Sequence, residues 1–193
     1  MAKQGELFGV NEPVVSGLVL VPDAVGVAQE DALCARIDAA PLAPFEFGQW
    51  RGKRLTTHYG RAYDFARGRL TEAPPLPDWL LALRGKLAPL AGLDPAALEA
   101  ALLIRYDPGA GIGWHRDRPV FEHVIGISLG AAATMRFRRR SGEKIERFAL
   151  PLAPRSIYHL EGEARANWQH SIAAMEEPRW SITLRTLRDR YGP

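Results

Sequence analysis

LLIRYDPGAGIGWHRD, residues 102–117, decides how the second half of this chain folds. An apolar, β-branched run gives way to a turn built on Pro108 and three glycines, and the chain then re-emerges as an extended segment carrying His115 and Asp117. That order predicts a strand, a turn and a second strand. In an extended chain residues i and i+2 point the same way, so an imidazole and a carboxylate face one point in space. Beyond this segment, short runs rich in apolar and β-branched residues recur between turn signals: VIGISL, ATMRFR, KIERFAL, RSIYHL and WSITLRTL. Several short strands at near-regular spacing predict a sandwich or small barrel.

Working outward, the N-terminal dozen residues (1–12) read as an arm, GLVLV as a strand, and residues 29–40 as a helix closed by Pro41. Residues 44–72, rich in aromatics and glycine, suit short strands and hairpins and form a candidate substrate-recognition flap. After APPLP, Leu80, Leu83, Leu87 and Leu90 fall on one face of a helix that Gly92 can end. Asp94 and Pro95 then mark the start of a further helix, DPAALEAAL. The expected class is mainly β with flanking helices (α+β), a single domain over residues 1–193 with its core in 101–188.

With 193 residues, 47% of them hydrophobic and 24% charged, the chain can bury a sizeable core. Its single cysteine, Cys34, excludes an intramolecular disulfide, fits a reducing compartment and is read as core packing. VVSGLVLV is broken by Pro22 and Asp23 and is far shorter than a membrane span. It also lacks the basic flank and cleavage site of a signal peptide, so the expected location is cytoplasmic, without membrane attachment. A net charge of +3 leans only weakly toward an anionic partner.

Two ligands on one strand face suit a metal, with a third arriving from another strand. His170, in NWQHSI, is the natural candidate. Two histidines and one carboxylate make the facial set typical of non-haem Fe(II), which leaves three positions open. Alone, H-x-D has plainer readings: a surface ion pair for Asp117 and a half-buried histidine. The strand RWSITLR adds weight to the metal. Period-two alternation puts Arg179, Ser181, Thr183 and Arg185 on one face and Trp180, Ile182 and Leu184 on the other. If the apolar face packs under the helices, two guanidiniums point inward, and an interior anion such as a dicarboxylate is implied. The alternative is an edge strand whose arginines face solvent.

Taken in order, IRYDPGAGIGWHRD, VIGISLG, RFRRRSGEK, WQHSI and RWSITLR resemble the AlkB-like branch of the Fe(II)- and 2-oxoglutarate-dependent dioxygenases, over about half of the chain. HYGRAYDF and PLPDWL, upstream, are also similar to members of that branch. The resemblance implies a double-stranded β-helix, or jelly-roll, core. It implies that His115, Asp117 and His170 hold the iron, that Arg179 pairs with the distal carboxylate of 2-oxoglutarate, and that Arg185 lies beside its chelating end. Tyr106 matches a tyrosine that hydrogen-bonds the cosubstrate. Ile104 departs from the pattern, since many relatives carry asparagine there. Leu55 stands near the place of an aromatic that sandwiches the target base, so Tyr59, Tyr63 or Trp50 would supply the stacking surface. Trp114, beside an iron ligand, is a further substrate-wall candidate.

The implied reaction uses Fe(II), 2-oxoglutarate and O2 for oxidative demethylation of alkylated bases in DNA or RNA, releasing formaldehyde, succinate and CO2. A tRNA modification or a protein side chain is the alternative substrate, and a non-catalytic metal- or anion-binding barrel is a third reading. A monomer is expected. Of the remaining histidines, His58 is either part of a flap or an exposed hairpin position, whereas His123 and His159 read as structural strand positions. Arg136, Arg138, Arg139 and Arg140, with Lys144 and Arg147, form a basic hairpin that either tracks a phosphate backbone or is a solvated turn.

Overall fold

A computed structural model of the chain describes residues 15–47 and 50–189. The arm expected over residues 1–12 lies outside the described residues, as does the side chain of Trp50. In chain order the elements are β1 (Leu18–Val21), α1 (Val27–Asp38), β2 (Ala43–Phe47), β3 (Trp50–Asp64), β4 (Arg69–Glu72) and α2 (Asp78–Leu87). They continue with β5 (Leu98–Tyr106), β6 (Ile112–His115), β7 (Phe121–Gly130), β8 (Ala133–Ser141), β9 (Lys144–Leu152) and β10 (Ser156–Leu160). The chain finishes through α3 (Gly162–Ala166), β11 (Gln169–Ile172) and β12 (Arg179–Leu187).

Among the described residues the strands form two antiparallel sheets. The major sheet runs β1-β10-β7-β12-β5-β3-β2, with β4 paired to the far end of β3, and the minor sheet runs β6-β11-β8-β9. Ile104, Tyr106, Val124 and Tyr158 of the major sheet pack against Met135, Phe137, Leu152 and Ile172 of the minor one. On the outer face of the major sheet, Leu103, Ile125, Ile127, Ile182 and Leu184 bury against Leu33 and Ile37 of α1 and Leu80, Leu83 and Leu87 of α2. Every central strand is thus apolar on the helix side, and its opposite face closes over the space between the sheets. This is the expected jelly roll with flanking helices.

Three local expectations need correction. DPAALEAAL is not a helix: Asp94 caps only a short 3-10 turn, Pro95–Ala97, by accepting from the Ala96 N–H, and β5 begins at Leu98. The alanines favour a helix, but residues 98–106 pair with β12 on one side and β3 on the other, and those two ladders override the propensity. The first helix starts and ends two residues earlier than expected, at Val27 and Asp38. Leu90, expected on one helix face with Leu80, Leu83 and Leu87, is 57% exposed because the chain leaves α2 for a 3-10 turn at Ala88.

The 44–72 region forms strands and hairpins as expected, but the two hairpins share one long strand: β2 pairs with the first part of β3 and β4 with its last residues. Residues 55–60 of β3 pair with β5, and residues 61–64 pair with β4. The change of direction falls at Gly60, where φ is 72° and a Cβ would lie 2.0 Å from the Glu99 carbonyl oxygen. Only glycine accepts that conformation at that distance. The bend carries Tyr63 and Phe65 over the open end of the sandwich. No helix among the described residues is long and apolar enough to cross a membrane.

Candidate active site

A cavity of about 590 Å³ opens between the sheets, and His115, Asp117 and His170 all line it. His115 and His170 meet because β6 and β11 are neighbours in register, with His170 directly opposite His115. Their ring centroids are 4.3 Å apart. Asp117 lies just past the end of β6, where its carboxylate comes within 3.7 Å of His170 Nε2 and 3.4 Å of Arg185 Nη2. Nδ1 of His115 sits 2.9 Å from the Gly113 carbonyl oxygen. A carbonyl only accepts, so that nitrogen carries the proton and Nε2 keeps its lone pair for a ligand.

Burial sets the protonation of this trio. It depresses the His115 imidazole, and it pushes His170 down to about 4 with help from neighbouring His115. For Asp117 burial raises the carboxyl, but Arg185 and the two histidines outweigh it and hold the group below the ordinary carboxylate range. Near neutral pH the set is two neutral imidazoles and one carboxylate. That is a donor set suited to Fe(II), and the groups need lose no proton to bind it.

The arginines of β12 occupy the same cavity. Arg179, Ser181, Thr183 and Arg185 line it, while Ile182 and Leu184 lie under the helices, as the alternation requires. Arg179 is only 1% exposed. Its Nε donates to Ser128 Oγ at 3.2 Å and its guanidinium sits 5.1 Å from the Tyr106 ring, yet Nη1 and Nη2 have no hydrogen-bond partner. Nε of Arg185 and the Thr183 hydroxyl are likewise buried and unpaired. Unpaired buried donors are costly, so several converging on one space indicate that an anion belongs there. A dicarboxylate fits the two separated cations. Ile104 lines the same wall as Tyr106, opposite Ser181, and offers no donor.

Among the substrate candidates, Tyr63 and Trp114 line the cavity and Tyr59 does not. Tyr59 packs on the helix-side core, because in the part of β3 before Gly60 it is Arg54, Thr56 and His58 that face inward. Phe45 and Phe65 join Tyr63 at the mouth, and the Arg118 guanidinium lies 4.9 Å from the Tyr63 ring and 4.7 Å from that of Phe65. Arg54 is a cavity residue that sequence reasoning missed. It is buried, stands 4.0 Å over the Phe45 ring, and has an unpaired Nε. The alternation of Arg54, Thr56 and His58 was the available signal.

His58 also faces inward, and burial, with Arg185 and Arg54 adding like charge, pushes its imidazole down to about 4. An unfolded histidine titrates near 6.5, so between those values the unfolded chain binds the extra proton. Stability tied to His58 is therefore complete above about pH 6.5 and is lost as the pH falls toward 4. Metal-free protein should lose about 2 kcal/mol more over that window than a His58→Gln variant, read as urea midpoints at several pH values. Equal slopes would place His58 in solvent.

Outside this cavity, His123, His159 and Glu161 are also placed to hold a metal, with ligand atoms all within 4.8 Å of one another. The basic hairpin divides by strand alternation. Arg139 is tied to Glu146 and Glu163 over the Trp168 ring, whereas Arg136 and Arg138 flank Trp114 at 5.4 and 4.3 Å.

Comparison with known proteins shows the family. Residues 45–189 match the model of the 2OG-Fe(II) oxygenase superfamily. The chain is 34% identical over 187 residues to the Alkylated DNA repair protein ALKBH8 homolog of Arabidopsis thaliana, covering 82% of this chain and 51% of that protein. It is 30% identical over 120 residues to the Probable RNA/DNA demethylase ALKBH6 of Danio rerio, covering 62% and 49%. The chain thus spans about half the length of the curated relatives it matches. Among solved structures, OsALKBH1 superposes with a TM-score of 0.66 at 15% identity, over 91% of this chain and 99% of that one. A 2OG-Fe(II) oxygenase family oxidoreductase from Burkholderia pseudomallei gives 0.62 at 18% identity, over 91% and 88%. The inward His-x-Asp, the histidine opposite it and the two inward arginines thus stand on a chain that belongs to the 2OG-Fe(II) oxygenase superfamily, in its AlkB-like branch of Fe(II)-, 2-oxoglutarate- and O2-dependent dioxygenases.

Proposed function

We propose that the protein carries out oxidative demethylation of alkylated bases in DNA or RNA, consuming 2-oxoglutarate and O2 and releasing succinate, CO2 and formaldehyde. The observation that carries the reading is a single cavity holding a neutral-histidine and carboxylate trio, Arg185 paired with its carboxylate, and a buried Arg179 whose two terminal nitrogens have no partner. His115, Asp117 and His170 would hold Fe(II), which supplies, when bound, the oxidising power to insert oxygen into a substrate C–H bond. The chain's own residues then bind, orient and exclude water. Arg179 and Tyr106 anchor the far carboxylate of 2-oxoglutarate, and Arg185 holds Asp117 in place and adds positive charge at the near end. If the oxidised carbon is a methyl on nitrogen, the hydroxymethyl product falls apart to formaldehyde and the bare amine.

A nucleic-acid substrate is favoured by the cavity mouth. Phe45, Tyr63 and Phe65 make an aromatic rim past which a displaced base would enter, with the Arg118 guanidinium over two of the rings. Trp114 lines the same cavity, with Arg136 and Arg138 beside its ring. The deciding experiment incubates the protein with Fe(II), ascorbate, 2-oxoglutarate and a panel of methylated DNA and RNA oligonucleotides, reading the base by mass spectrometry and succinate in parallel. Loss of 14 Da from a base, matched by succinate, is expected on the order of one for one. Coupled turnover on peptides alone would replace this substrate class with a protein one.

Arg136 and Arg138 also give a salt prediction. Arg139 is already neutralised by two glutamates, so the phosphate contacts belong to Arg136 and Arg138. Binding to a methylated oligonucleotide should weaken with salt, each phosphate contributing roughly 0.7 to 0.9 to the slope of log affinity against log salt. Arg136→Glu with Arg138→Glu should lower that slope by about 1 to 2, while Arg139→Glu should leave it nearly unchanged. A slope that responds only to Arg139 would move the path to the other face of the hairpin.

A further inference from the structure

We propose that His123, His159 and Glu161 form a second divalent-cation site, selective for Zn²⁺, on the outer face of the major sheet and separate from the iron set. His123 shares its strand face with Ile125 and Ile127, and His159 shares its own with Ile157, residues that pack under the helices. The two histidines therefore emerge on the side of the sheet opposite to His115 and His170, and none of the three groups lines the central cavity.

The distances suit a small tetrahedral ion. Nδ1 of His123 is 3.1 Å from Nε2 of His159 and 3.3 Å from a carboxylate oxygen of Glu161. Ligands about 2.0–2.1 Å from a tetrahedral zinc lie roughly 3.3 Å apart. Hydrogen bonding alone leaves the trio short of a proton: a neutral His123 has one N–H at Nδ1 and two groups closing on it, and it can serve only one of them. A cation serves both, and its binding displaces the proton shared between the rings. Two imidazoles and one carboxylate select zinc over Mg²⁺ or Ca²⁺, which take oxygen ligands.

The groups are also held for the task. The His123 N–H donates to Thr186 Oγ1 at 3.0 Å, His159 lies mid-strand between β1 and β7, and the Glu161 N–H donates to the Gly17 carbonyl at 2.9 Å. His159 is 6% exposed, whereas the side chains of His123 and Glu161 are 23% and 42% exposed, so the site is firm behind and open in front. An ion there would tie β7 and β10 to the start of α3, whose Arg165 donates to the Arg118 carbonyl beside the cavity mouth.

Equilibrium dialysis of the chelator-stripped full chain against Zn²⁺, with metal counted by mass spectrometry, tests the assignment. Zn²⁺ also fits the iron set, so wild type should bind about two equivalents. The pair Asp117→Ala, His170→Ala should bind one, and the pair His123→Asn, Glu161→Gln should also bind one, with the outer site weakened about 100-fold or more. Wild-type stoichiometry and affinity in the His123→Asn, Glu161→Gln protein would overturn the second site. One equivalent in wild type, lost only with Asp117 and His170, would overturn it and leave the iron set standing. One equivalent lost only with His123 and Glu161 would support the outer site and remove the iron assignment instead.

Discussion

An Asp117→Ala protein is expected to fold, to bind no iron at micromolar concentrations, and to turn over at least about a thousand-fold more slowly than wild type. Asp117 is the carboxylate of the trio, so its loss removes the negative charge that makes the site hold a dication. It also strips Arg185 of its partner at 3.4 Å and leaves His170 facing a gap. The stability cost should be modest, about 1–3 kcal/mol for an unpaired buried cation, set against relief from burying the carboxylate itself. Asp117→Asn separates the two effects. It keeps the volume and an acceptor for Arg185, and so should melt near wild type while still failing to retain iron. Iron content, circular dichroism and 2-oxoglutarate-dependent succinate release together decide the matter. Normal succinate release in either variant would show that the metal is held elsewhere.

Which parts of this site could be read from the sequence depends on the range of the interaction. The inward face of β12 was legible in RWSITLR because period-two alternation is a local property, and Trp180, Ile182 and Leu184 do lie under the helices. The same logic applied to KRLTTHYG would have placed Arg54 and His58 inside and Tyr59 outside. The register of β6 against β11, which sets His170 opposite His115, is a tertiary fact with no local signature. The motif order could suggest that pairing, but spacing could not. The alanines of residues 96–101 misled for the converse reason. Their helix preference is worth a few tenths of a kcal/mol each, and two flanking strands with a buried apolar face outweigh it. His123 and His159 read as strand positions in the sequence because nothing local to either joins it to the other. Only the pairing of β10 with β7, which places His159 opposite Ile125, brings them together.

Arg179→Met is expected to raise the KM for 2-oxoglutarate by about 30- to 1000-fold, the equivalent of roughly 2–4 kcal/mol for a lost charge-assisted pair. Iron affinity should change little, because Arg179 touches no member of the trio: its contacts are Ser128 and the Tyr106 ring. The side chain is 1% exposed and its two terminal nitrogens lack partners, so in the ligand-free protein it is a buried cation whose desolvation is only partly offset. Methionine fills nearly the same volume without that penalty. The variant should therefore melt at a higher temperature than wild type when both are free of 2-oxoglutarate. Adding 2-oxoglutarate should raise the wild-type melting temperature and leave that of the variant nearly unchanged. Opposite movements of cosubstrate affinity and ligand-free stability are what distinguish an anchor awaiting its anion from a residue that merely packs. If Arg179 only packs, the variant would melt lower and its KM for 2-oxoglutarate would stay within a few-fold of wild type, and the interior dicarboxylate would have to be held by Arg185 and Arg54 instead.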